Sequence, residues 1–141
     1  MDAGTPRTAA WLLMGATGST PGVLELVDGR LRYTAHGRGA LTGGQLADLE
    51  TRLGRPGLAD DLTAGAAVVL FDVPLAQVGD VVFPWYYFGG GMKLSAGGVG
   101  HRFSFLRPQN TQDLPGVADI PAGRAAGRTW KKLLAGAGTG R

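Results

Sequence analysis

The stretch Ala66–Pro108, AAVVLFDVPLAQVGDVVFPWYYFGGGMKLSAGGVGHRFSFLRP, carries most of the chain's aromatic residues, and its reading decides the fold. Branched and aromatic side chains in short runs, broken by Gly and Pro, suit half-buried strands because they fill a pleated surface. The sequence predicts a strand over Val68–Val73, a turn at Pro74 and a second run from Gln77 to Tyr87. Pro84 cannot donate to a ladder, so that second run is expected at a sheet edge or bulged there. Gly89, Gly90 and Gly91 turn the chain into Met92–Ser95, and Gly97, Gly98 and Gly100 lead into a strand in which His101, Phe103 and Phe105 share one face.

Upstream, Val23–Thr34, VLELVDGRLRYT, centres on Asp28-Gly29, the pair that supplies the positive backbone angles of a two-residue hairpin turn. Counting outward pairs Val27 with Arg30, Leu26 with Leu31, Glu25 with Arg32 and Leu24 with Tyr33. One face is then wholly apolar and the other carries an opposite-charge pair. Before it, Gly15–Gly22, GATGSTPG, is expected to be a turn. Pro21 falls where a dinucleotide loop needs a small residue, and no helix follows to aim its amides at a phosphate. Trp11–Met14 is too short for periodicity to separate strand from helix.

Thr42 and Gln45 have the spacing of a capping box, with Leu41 and Leu46 placed as a hydrophobic staple. A short amphipathic helix follows, with Leu46, Leu49 and Leu53 on one face, Asp48 and Arg52 one turn apart, and a stop at Gly54 and Pro56. Asp60 and Asp61 suit a helix start or a solvated turn. Pro121 opens a last helix, capped by Asp119. There Ala126, Trp130, Leu133 and Leu134 form an apolar stripe, and Arg124, Arg128, Lys131 and Lys132 lie largely off it.

The 141 residues allow one domain, 1–141, with loose ends at 1–8 and 136–141. Twenty-five glycines and 8 prolines imply many turns, while 44% hydrophobic and 18% charged residues argue for a packed core. The formal charge is +3, and 11 of the 14 basic residues are Arg, a bias that suits a high-GC genome as well as any acidic partner. Cysteine is absent, which excludes disulfides, thiolate metal sites and cysteine nucleophiles. The apolar run at Ala9–Ala16 is far short of the roughly 20 residues of a membrane span. A cytoplasmic protein is expected.

Three of these segments resemble the pleckstrin-homology-like superfold. GVLELVDGRLRYT resembles the opening hairpin of bacterial pleckstrin-homology and GRAM-like domains, VVLFDVPLAQVGDVVF their middle strand pair, and AAGRTWKKLL their closing helix. The resemblance implies a mainly β, partly open antiparallel barrel of about six to seven strands, capped by a C-terminal helix whose Trp130 plugs one end. Residues 39–65 would be a helical insertion between the second and third strands. Lipid-binding members of the superfold use basic residues around the first two strands. Here that region holds Arg30, Arg32 and Arg38, with Glu25 and Asp28 among them.

The function expected is a non-catalytic binding or adaptor domain for an unidentified protein or peptide, held at an exposed strand edge or beside the terminal helix. Trp85, Tyr86, Tyr87 and Phe88 form either a docking patch or a cap on the core. The alternative is peripheral association with an anionic membrane through Arg124, Arg128, Lys131 and Lys132, with the rim aromatics at the headgroups. A solvated helix back is the commoner reason for such cations. His36, placed in a glycine-rich loop, and His101 have no triad or zinc spacing around them, so no catalytic residue, metal or cofactor is expected. Scattered basic residues give no nucleic-acid footprint.

Overall fold

A computed structural model describes residues 7–15, 18–84, 90–106 and 120–134, with the backbone alone at 120–123. Its strands are β1 Arg7–Met14, β2 Gly18–Val27, β3 Arg30–His36, β4 Ala67–Pro74, β5 Val78–Val82, β6 Gly91–Ala96 and β7 Val99–Ser104. Helices α1 Gly43–Leu53 and α2 Leu58–Thr63 lie between β3 and β4, and α3 Ile120–Leu133 closes the described chain. The strands form one seven-stranded sheet in the order β4-β3-β2-β1-β7-β6-β5, and every pairing is antiparallel.

Consecutive strands β4 and β5 occupy the two opposite edges, yet only the single 3₁₀ turn Leu75–Gln77 joins them. Laid flat, the sheet would separate its edges by about 29 Å, whereas the link from Pro74 to Val78 reaches at most about 14 Å. The sheet must therefore curl into a half-barrel. Two backbone hydrogen bonds hold the corner: the Leu75 amide donates to the Gly29 carbonyl, and the Gly97 amide donates to the Gln77 carbonyl, each at 3.0 Å. The corner thus ties the β2–β3 turn to the β6–β7 turn.

The β2–β3 register is the one counted outward from Asp28-Gly29. Leu24, Leu31 and Tyr33 are fully buried on the inner face. On the outer face Glu25 meets Arg32 at 3.7 Å and Arg7 at 3.3 Å, and Asp72 of β4 takes Arg32 at 3.2 Å and Arg30 at 2.8 Å. A ladder of alternating charge crosses four strands.

Thr42 and Gln45 make both halves of the capping box, and α1 stops at Gly54 in the left-handed conformation. Leu46 and Leu49 are buried, and Asp48 pairs with Arg52 at 3.0 Å. Asp60 and Asp61 lie in the first turn of α2, the charge placement that suits a helix start. At the other end Trp130 is fully buried and its Nε1 donates to Thr8 Oγ1 at 2.8 Å. The indole of α3 therefore plugs the inner face of the sheet at the start of β1.

Several expectations are corrected. Trp11–Met14 belongs to a strand, β1, which already contains Arg7 and Thr8, so the helical insertion follows the third strand and not the second. Of the expected turn at Gly15–Gly22, Gly15 is in a turn and residues 16–17 lie outside the described residues. From Gly18 the chain is β2, paired with β1 through Trp11 opposite Pro21. Pairing with β3 ends at Gly22 opposite Ala35, so Pro21 sits where β2 has a partner on one side and its missing N–H can face the other. His36 ends β3 and is not in a loop. Of the run expected over Gln77–Tyr87, the described part is strand only at β5, which lies at an edge and has a register shift between Gly79 and Val82, and residues 85–87 lie outside the described residues. Pro84 falls after the strand.

Candidate functional site

The described residues offer three surfaces with chemistry: a cavity around His101, the free sheet edges, and the outer face of α3. Positive φ at Gly97 and Gly98 makes the two-residue turn that brings β7 back along β6. Strand alternation then turns His101, Phe103 and Phe105 inward. His101 is 6% exposed, its ring centroid lies 4.9 Å from Phe71 and 6.2 Å from Phe103, and its Nε2 is buried without a hydrogen-bond partner among the described residues. Burial, and then the nearby Arg52 charge, push its pKa down to about 4. The imidazole is neutral at pH 7.

Beside this ring is a cavity of about 80 Å³, bounded by the end of β1, by Leu49 and Arg52 of α1, and by Gly100, His101 and Arg102 of β7. Among the described residues its charged lining groups are Arg52 and Arg102, and none of the described lining residues is a carboxylate. The Arg52 stem is fixed by Asp48, and Arg102 Nη2 donates to the Gly15 carbonyl at 2.7 Å. Among the described residues, His101 is walled by arginine and no acid hydrogen-bonds its ring, so these residues by themselves do not form a base and orienter pair. The arrangement suits the holding of negative charge. Sequence reasoning placed His101 on the Phe103 face but missed the cavity, because its two arginines stand on different elements, 50 residues apart in the chain.

At the ends of the sheet, β4 and β5 each have one side with no strand partner among the described residues. The β4 edge is partly covered, since Arg55 Nη1 donates to the Val69 carbonyl at 2.7 Å. On β5, Val82 is 50% exposed, and Val69 on β4 is 39% exposed.

Arg124, Arg128, Lys131 and Lys132 are all exposed on α3, while Trp130 and Leu134 are buried. At 100° per residue the four cations fall within an arc of about 100° on the side away from Trp130. The helix contains no acidic residue, and none of the four has an ion-pair partner among the described residues. The helix brings the four onto one exposed face. Trp85, Tyr86, Tyr87 and Phe88, the expected docking patch, lie outside the described residues, as does Asp119, the expected cap. The arginines nearest the opening hairpin are engaged within the chain: Arg30 and Arg32 by Asp72, and Arg38 by the Leu41 carbonyl.

No protein-family model, curated protein or solved structure matches this chain. Among the described residues there is no group of three or more potential metal ligands, and no helix is long and apolar enough to cross a membrane.

Proposed function

We propose that this chain is a pleckstrin-homology-like binding domain that receives an extended peptide along the free edge of β5. The observation that carries the reading is the open sheet. β5 ends the strand order with one side unpaired among the described residues, and it presents Val82 half-exposed on that strand. An incoming strand would gain main-chain hydrogen bonds there, and an apolar side chain at alternate positions would cover Val82. The all-antiparallel order and the Trp130-bearing terminal helix support the kinship.

Selection from a random peptide display library, followed by amide NMR titration of the selected peptide, tests this. Shifts concentrated at Val78–Val82 and at the paired β6 residues, weakened by V82E in a folded variant, are the expected result. Failure to select any peptide, or shifts that avoid β5, would remove the reading.

A second reading has its own observation, the unpaired basic arc on α3, which would meet an anionic lipid surface. Sedimentation with phosphatidylserine-containing vesicles and with neutral vesicles separates the two. Preferential pelleting with the anionic vesicles that R128E and K132E abolish selects the membrane, and equal pelleting removes it.

A further inference from the structure

We propose that the cavity between α1, the end of β1 and the start of β7 is a binding site for a small oxyanion, a carboxylate or a phosphate, held between the guanidinium groups of Arg52 and Arg102. It is independent of the β5 edge and uses none of the residues invoked there.

The space fits such a ligand. A water molecule's share of the liquid is about 30 Å³, so a cavity of about 80 Å³ admits an ion of a few heavy atoms. Two glycines, Gly15 and Gly100, line it without side chains, and a Cβ at Gly100 would have open space around it.

The donors also fit. A guanidinium carries five N–H groups in a planar fork matched to paired oxygens. Asp48 engages Arg52 through Nε, and the Gly15 carbonyl engages Arg102 through Nη2. Those contacts fix both stems and leave the remaining N–H groups without a partner among the described residues.

The walls strengthen the case. Leu12, Met14 and Leu49 are buried apolar side chains, and the neutral, buried His101 ring closes another side. Attraction between an arginine and an anion is larger beside such groups than in open water. Two positive groups facing a space with no carboxylate among its described lining residues are stabilised when an anion enters it. Asp48 lies next to Arg52 but outside the lining, so it anchors the arginine without filling the site.

The experiment is a titration of the full chain at pH 7 and constant ionic strength, exchanging chloride separately for inorganic phosphate and for acetate, with the side-chain resonances of both histidines followed by NMR. The expected result is a saturable shift of His101 with a small response from His36, which is exposed at the end of β3. The oxyanion that saturates at lower concentration identifies the ligand class. R52Q and R102Q should each weaken binding at least roughly tenfold, the loss of one charge-assisted hydrogen-bonding group. R52K, which keeps the charge and loses the fork, should fall between R52Q and the parent and also serves if R52Q does not fold. Equal and non-saturating shifts of both histidines, or undiminished binding in the Arg52 and Arg102 variants, would overturn the proposal.

Discussion

His101 is driven against Phe71 by strand alternation, and burial together with Arg52 lowers its pKa to about 4, against about 6.5 for a histidine in the unfolded chain. Between those two values the unfolded chain binds the proton more tightly than the folded one, so stability falls as pH falls through that window. Complete passage through it costs about 3 kcal/mol, at 1.36 kcal/mol per pKa unit. Asp72 behaves differently. Hydrogen bonding from Arg30, and then from Arg32, lowers its pKa, so its contribution is present above the ordinary carboxylate range and is lost only when it protonates at still lower pH. Urea denaturation of the parent should therefore show a stability slope between pH 6.5 and 4 that H101F removes, while the loss at lower pH persists in both proteins. A parent profile flat across that window would contradict the burial of a neutral imidazole. That His101 shared a face with Phe103 could be counted from the sequence. That Arg52 of an inserted helix faced it could not, since nothing in a local pattern reports which helix covers which end of a sheet.

At the scale of elements, the best-read features were those that close their own hydrogen bonds or charges within a few residues. Asp28-Gly29 fixed its hairpin register, and Thr42 with Gln45 fixed the start of α1, because each is a local geometric solution. The elements left open or misread depend on distant partners. β1 is a strand because β2 and β7 flank it, and β2 runs through Pro21 because β3 has ended its pairing there. Gln45 joins the two kinds of information. Its Oε1 accepts from the Thr42 amide, and its Nε2 donates to the Met14 carbonyl at 3.0 Å, tying α1 to the end of β1. Gly18 makes this possible, since a Cβ there would run into the Gln45 amide. T42A should lower stability by about 1 kcal/mol, the usual cost of losing a capping hydroxyl. Q45A should cost at least as much, because it removes both a cap and the tether. Denaturation of the two single variants and the double variant measures this, and a Q45A loss clearly below that of T42A would show that the tether contributes nothing to stability.

For the whole molecule, closure of the sheet follows from where a very short connection falls in the strand order. The turn at Pro74 was legible, but the sequence does not say that the strands on either side of it lie at opposite edges. That follows only after β7 pairs with β1, a contact between residues about 90 positions apart. Once that pairing is made, Leu75–Gln77 must bridge the two edges, and the Gly29 and Gly97 turns are drawn onto it. If the curl depends on this corner, lengthening it should cost more than loop entropy alone. Four Gly-Ser residues inserted after Ala76 roughly double the link, which by loop closure costs only about 0.6 kcal/mol. Loss of the two corner hydrogen bonds adds about 1 kcal/mol each. A total of about 2–3 kcal/mol in urea denaturation, with an unchanged dependence on denaturant, is expected for a sheet held curled at its corner. A loss near the entropic value alone would mean that the inner face, packed around Trp130, Tyr33 and Phe103, sustains the curl without the corner.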